Sequence, residues 1–472
     1  MNLWIFFRIR NGYVFLYVLY LTAIINLPLQ ILLNGIIGGV LYKGFLLVGA
    51  ALLAGNLWLC RKTVLRKENL FPVLFLLAGA IGVLVHYRYG FTQNVKLLCW
   101  MTLQFGIFYV LDDPWTGHNT ERLFLRCAKG FMSLWAFAVV LSLLMFLMSM
   151  SVTIGEGFGS LAGRRLGFQE ERLFGVFADP NIASVGSILS MALSLLFLGR
   201  NRGKKGLAVL NIGNMALNWL YVILSGSRTG VLAMLCGSAV FCSFLLYAKF
   251  RGRPVWKRAA LGLGGAILCA GLLLGLEYGT KAVCVQLPAA YQGVFGRTDT
   301  SELERVLGEQ GQHMDVDPEI SLDREDTDAA NISNNRLQIW SDAIAVWKTT
   351  PLVGATPRGY LALAEERLGQ IFIVTKHYTI HNGYIATLLF SGILGVAAMV
   401  AWIVFILRRV FRFLIHKTEE SGYWEVLVCT SAIVAVGVAA LTLTLIFYSI
   451  MVIDAVFWMI CGYALWKTDE RR

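Results

Sequence analysis

Apolar runs of about twenty residues recur along most of this chain, and a helix of that length is what crossing ~30 Å of hydrocarbon requires. They fall near 13–33, 40–59, 70–87, 94–111, 128–150, 180–198, 207–224, 229–248, 259–277, 382–407, 424–445 and 447–466. Of 472 residues, 57% are hydrophobic and only 15% charged, far less charge than a soluble globular chain carries. The expected fold is an all-α polytopic membrane protein with about twelve transmembrane helices and a large extracytoplasmic loop between the ninth and tenth. The run 13–33 follows Arg8 and Arg10 as in a signal peptide. It is too long for one and lacks a small-x-small cleavage site, so it is expected to stay as the first span.

Lys and Arg set the expected orientation, because short basic loops are retained in the cytoplasm. Arg8/Arg10, Arg61-Lys62 with Arg66-Lys67, Arg122 with Arg126, Arg200 to Lys205, Lys249 to Arg258, Arg408 to Lys417 and Lys467 to Arg472 fall on one side of the twelve runs. Both termini are therefore expected in the cytoplasm. A net charge of +12 distributed in this way reflects topology, and nucleic acid is not expected as a partner. Nine cysteines without metal-ligand spacing read as packing residues.

The same alternation leaves four features outside: Arg164-Arg165 with Arg172, the turn Ser225 to Gly230, the segment 278–381, and a short turn near Phe447. The expected organisation is an N-terminal bundle over 1–277, the extracytoplasmic segment 278–381, and C-terminal spans over 382–472. Within the segment, 299–328 is acidic and lacks the ordered spacing of a calcium loop, so it reads as a solvated tether. From Asn334 the pattern turns helical, with Leu337, Trp340, Ile344 and Trp347 spaced for one face and Asn334 or Asn335 as cap. Thr350-Pro351 stops it, Gly354, Pro357 and Gly359 form a turn, a short helix is expected over Tyr360 to Leu368, and Ile371 to Val374 is β-rich.

Candidate chemistry gathers on that outer side. His381 stands where the polar segment meets an apolar run, and its imidazole titrates near neutral pH; Asn382 beside it can orient a polar partner. A solvated interface histidine is the simpler alternative, and His377 is a rival. Arg228 sits in a tight outer turn near hydrocarbon, where it either meets a phosphate or snorkels to headgroups. Arg336, in the first turn of its helix, is favourable beside an anion and otherwise a plain exposed arginine. Asp179-Pro180-Asn181 reads as a helix start, and Ser227 and Thr229 as caps. Arg164, Arg165 and Arg172 either dock phosphates or pair with Glu170 and Glu171. No phosphate-cradling glycine loop, metal-ligand cluster or nucleophile elbow is present in the sequence, so no cofactor or metal is expected.

Four motifs in order carry a family likeness: Gly175-Val176-Phe177-Ala178-Asp179-Pro180-Asn181; Ser225-Gly226-Ser227-Arg228-Thr229-Gly230; Arg336-x-x-x-Trp340 with Pro351-Leu352-Val353-Gly354; and His381-Asn382-Gly383-Tyr384 before Gly392-Ile393-Leu394-Gly395. Over roughly 170–400 they resemble the O-antigen ligase and O-antigen polymerase superfamily of GT-C membrane glycosyltransferases. The resemblance implies an enzyme of the bacterial cell (inner or plasma) membrane that uses an undecaprenyl-diphosphate-linked oligosaccharide donor and a glycan or lipid-linked glycan acceptor. It further implies His381 as general base, and Arg228 and Arg336 as donor-pyrophosphate ligands. Arg164, Arg165, Asn181 and Asn382 are possible substrate contacts. Polymerase is favoured over ligase because nothing indicates the acceptor. A twelve-span transporter or flippase, or a non-catalytic partner of the same pathway, is the competing reading. The acidic stretch 299–328 looks like an insertion in the family pattern.

Overall fold

The computed structural model describes residues 3–37, 39–59, 67–109, 118–296 and 335–469, with Asp299, Val306 and Leu322. Arg61, Lys62 and Arg66, nearly all of the acidic stretch 299–328, Asn334 and Arg471-Arg472 lie outside these residues. In chain order the helices are α1 (Leu3–Ile24), α2 (Leu27–Ile37), α3 (Val40–Leu59), α4 (Lys67–Val85), α5 (Phe91–Leu103) and α6 (His118–Leu147). Three strands follow, β1 (Ser151–Thr153), β2 (Arg165–Gln169) and β3 (Arg172–Gly175). Then come α7 (Pro180–Arg200), α8 (Lys205–Leu224), α9 (Arg228–Lys249), α10 (Val255–Cys284) and α11 (Leu287–Phe295). The chain finishes with α12 (Arg336–Lys348), α13 (Tyr360–Leu368), α14 (Phe372–Thr375), α15 (Gly383–His416), α16 (Tyr423–Ala439) and α17 (Val452–Lys467). Among the described residues seven helices are long and apolar enough to cross a membrane, and Asn69–Val85 and Tyr423–Ala439 are shorter apolar helices. The chain is a polytopic helical membrane protein.

Two compact units divide it: Met1–Phe15, Tyr42–Leu125 and Asp326–Arg472 form one, Leu16–Leu41 and Arg126–Glu325 the other. In the first, α15 packs along α4, and α16 along α17. An aromatic cluster fills the interior, with ring centroids 4.5 Å apart for Phe105 and Trp458, 4.7 Å for Trp402 and Trp458, and 4.8 Å for Phe75 and Phe447. Such offset and edge contacts add about 0.5–1.5 kcal/mol per pair beyond area burial.

The expected short turn near Phe447 is instead an irregular stretch over 440–451 between α16 and α17. Its organiser is Asp454, which is fully buried. The carboxylate accepts from the Ile446 amide at 2.7 Å and the Met451 amide at 3.0 Å, and from the Ser449 hydroxyl. Non-helical backbone amid apolar helices is tolerated only where its polar groups are answered in this way. Asp454→Ala removes the acceptor from three donors. The expected result is a loss of about 3 kcal/mol or more, read as a lower thermal unfolding midpoint of the detergent-solubilised chain.

The segment after residue 334 is a compact layer on the start of α15. Ile339, Ala343 and Val346 of α12, Leu363 and Ala364 of α13, and Ile373 of α14 bury against Ala386, Leu389 and Phe390. Helix α13 falls where the sequence predicts it. On α12 the buried face is Ile339, Asp342, Ala343 and Val346, whereas Leu337 is 65% exposed. The predicted face is thus rotated, because Asp342 is turned inward to accept the Ile373 amide at 3.1 Å. That bond also explains why the stretch predicted as β-rich, Ile371 to Val374, instead enters a turn of helix at Phe372.

In the second unit α8 packs against α7 and α10 against α9. A small antiparallel sheet, ordered β1-β2-β3, departs from the all-α expectation. Its strands are three to five residues long, too short for a clear alternation signal. The predicted single span 13–33 is broken at Asn26, whose side-chain oxygen accepts the Leu29 amide at 3.2 Å, with Pro28 in the first turn of α2. The freed Leu27 amide donates to the Val176 carbonyl at 2.8 Å.

Candidate active site

Every neighbour of His381 in its motif is used to hold it. Asn382 caps α15, its side-chain oxygen accepting from the Tyr384 amide at 3.0 Å and the Ile385 amide at 2.9 Å. Its amide nitrogen donates to the Leu441 carbonyl at 2.9 Å. Expected as a possible substrate contact, Asn382 is buried and committed to backbone. Gly383 donates to the Ala440 carbonyl at 2.8 Å, and a Cβ there would lie 2.7 Å from the Leu445 carbonyl oxygen. The Tyr384 hydroxyl donates to the Gly437 carbonyl at 2.8 Å.

From the other side, the Trp340 indole donates to the Ile380 carbonyl at 3.1 Å and the Tyr360 hydroxyl to the Tyr378 carbonyl at 2.9 Å. Burial pushes the Tyr360 phenol up to about 12, so it stays a donor across the physiological range. His381 itself is half-buried and has φ of 48°, a left-handed conformation uncommon outside glycine and asparagine-like residues. Its Nε2 lies 3.0 Å from the Thr379 hydroxyl. His377, the rival, is exposed. Arg336 opens α12 one turn before Trp340, so the two positions lie on the same side of that helix.

The Pro351–Gly354 motif is threaded into α15. In a continuous helix the Leu389 and Phe390 carbonyls would accept from residues 393 and 394. Here they accept from the Ala355 and Thr356 amides at 2.6 and 3.2 Å, while the Ile393 and Leu394 amides donate to the Pro351 and Leu352 carbonyls at 2.9 and 3.3 Å. The exchange needs Gly392 at φ 60°, ψ −161°, a region glycine alone occupies comfortably, and Gly354 at φ 69°. A Cβ on Gly392 would lie 2.6 Å from the Val353 amide nitrogen. Gly392→Ala is therefore expected to cost about 3 kcal/mol or more. Gly271→Ala, whose Cβ would meet open space, should leave the unfolding midpoint nearly unchanged.

Two residues that the sequence reading passed over secure this insert. His86, buried after α4, brings Nε2 within 3.1 Å of the Thr350 hydroxyl. Asn94 donates to the Thr356 hydroxyl at 3.2 Å and accepts the Arg358 amide at 2.9 Å. Their signal was a polar side chain inside or beside an apolar run.

In the second unit, two helix N-termini and two motifs are tied together. Asp179 caps α7, accepting the Asn181 amide at 2.7 Å, with Pro180 in the first turn as predicted. Ser227 caps α9, accepting the Gly230 amide at 3.1 Å. Asn181 joins them, its side-chain oxygen accepting from Arg172 at 2.8 Å and from the Ser227 hydroxyl at 3.0 Å. Arg172 also donates to the Ser225 carbonyl at 2.9 Å, which holds the turn at Gly226, φ 58°. Arg228 is the first residue of α9 and is exposed. Helix N-termini with a guanidinium beside them favour an anion.

Asn181 and Arg228 thus share one loop cluster, whereas Arg336 and His381 belong to the other unit. Arg165 pairs with Glu170 at 2.6 Å, and Arg164 is exposed in the preceding turn. A family model described as O-antigen ligase matches residues 213–400, a stretch that holds Arg228, Arg336 and His381. No curated protein matches the chain.

Proposed function

From the match of residues 213–400 to the O-antigen ligase family model, we propose that this chain is a member of the O-antigen ligase/polymerase superfamily and transfers a glycan from undecaprenyl diphosphate to an acceptor hydroxyl on the outer face of the bacterial membrane. Neutral His381 takes the acceptor proton as the acceptor oxygen bonds to the anomeric carbon. The bond from that carbon to the diphosphate breaks, with inversion, and the electron pair leaves on undecaprenyl diphosphate. Arg228 and Arg336 offset the charge that grows on the departing diphosphate. Arg172 and Asn181 position the Arg228 turn, and Asn382, Trp340 and Tyr360 position His381.

The proposal includes twelve spans, both termini in the cytoplasm, these residues on the outer side of the membrane, and polymerisation of repeat units rather than ligation. The observation that carries the reading is the fixing of His381 from both sides of its backbone. A histidine that merely faced water would need none of those contacts.

A deletion strain tests the step. It is expected to accumulate lipid-linked single repeat units on the outer leaflet and to lack long surface glycan, restored by the plasmid-borne gene. Accumulation on the inner leaflet would instead identify a transporter.

A further inference from the structure

We propose that the end of α15 remote from His381 binds the phosphate headgroup of an anionic phospholipid. A cavity of about 680 Å³ opens there, lined by Arg408, Arg409, Arg412, His416 and Lys417 of α15 and its cap, with Phe405, Phe413, Thr468 and Asp469. Arg409 is answered from α17 and beyond, by the Thr468 hydroxyl at 3.1 Å and the Asp469 carboxylate at 3.7 Å. Lys417 has Glu420 at 3.6 Å. Among the described residues neither Arg408 nor Arg412 has an ion-pair partner, and both are exposed one helical turn apart.

Cations at a helix C-terminus suit the dipole and the retention of basic loops, but neither effect requires a cavity with two aromatic walls. An amphiphile does. Arg408 and Arg412 provide forked donors for phosphate oxygens, Phe405 and Phe413 flank them, and Val404, 58% exposed one turn earlier, continues an apolar surface along which an acyl chain can lie. The same phosphate chemistry could be supplied by a soluble phosphate ester, and the probes below separate the two sources. The proposal is independent of the glycosyl-transfer reading.

Full-length protein in detergent is titrated with short-chain phosphatidylglycerol, with phosphatidylcholine of the same chain length, and with glycerol 1-phosphate, and bound species are counted by native mass spectrometry. Saturable phosphatidylglycerol binding is expected, weakened roughly thirtyfold in the Arg408→Gln/Arg412→Gln double variant. Arg408→Lys/Arg412→Lys should recover most of it. Both positions are exposed, and unchanged residual phosphatidylcholine binding verifies that the double variant is folded. Equal binding of the two lipids, or undiminished phosphatidylglycerol binding by the Gln variant, overturns the site. Displacement of phosphatidylglycerol by equimolar glycerol 1-phosphate overturns the lipid assignment in favour of a soluble phosphate ester.

Discussion

Cells carrying His381→Ala in place of the native chain are expected to lose surface-glycan assembly, with transfer slowed about 10²–10⁴-fold, the usual contribution of a positioned general base. The cleaner substitution is His381→Asn. The backbone at 381 has φ of 48°, which asparagine tolerates better than alanine, so loss of chemistry is separated from loss of local structure. Protein level and unfolding midpoint should stay close to the native chain in His381→Asn, because the backbone of this segment is held through Ile380, Asn382 and Gly383, and the imidazole's bond to the Thr379 hydroxyl joins it to an exposed residue two positions away. Immunoblotting beside a glycan ladder checks both halves of the expectation. Normal ladders at normal protein levels would remove His381 from the mechanism.

Arg228→Ala is expected to slow transfer about 10²–10³-fold, the effect of removing one group aimed at developing charge. Arg228 is exposed at the first position of α9, so stability should change by no more than about 0.5 kcal/mol. Arg228→Lys should recover part of the rate, since a point charge remains while forked hydrogen bonding to a diphosphate is lost. Arg172→Ala should behave differently. Its guanidinium bonds the Ser225 carbonyl and Asn181, so its removal loosens the turn and lowers the unfolding midpoint as well as the rate. Measuring both quantities for both variants distinguishes a group that meets the donor from one that holds the loop.

What sequence reading recovered follows from the range of the forces involved. Apolar length marks the helices, local capping chemistry marks Asp179-Pro180 and Ser227, and the turn residues Gly354, Pro357 and Gly359 mark the start of Tyr360 to Leu368, because those signals sit within a few residues of one another. The losses are long-range. Phe372 to Val374 is helical because Asp342, some thirty positions earlier, accepts the Ile373 amide. The stretch 440–451 is irregular because Asp454 can answer its amides from the next helix. The break at Asn26 carried a readable signal in Pro28, of the same kind as Asp179-Pro180.

The site shows the same division. His381 and Arg228 stand out by residue type at a boundary, whereas the threading of Pro351–Gly354 into α15 has no local signature beyond its glycines. Only the backbone pairing shows that Gly354 and Gly392 act on one another. Asn382 was legible as polar and next to the histidine. That its whole carboxamide is engaged with backbone depended on the irregular stretch after α16, where Leu441 lies.

The most direct test uses the purified full-length chain reconstituted in vesicles with a synthetic undecaprenyl-diphosphate-linked oligosaccharide. The measurement is the rate at which undecaprenyl diphosphate is released as longer glycan forms. The native chain is expected to release one undecaprenyl diphosphate for each glycosidic bond formed, and His381→Asn to bind the donor yet yield neither product above background. Product formation by His381→Asn at the native rate would contradict the account, as would a native chain that moves the donor across the bilayer without cleaving it.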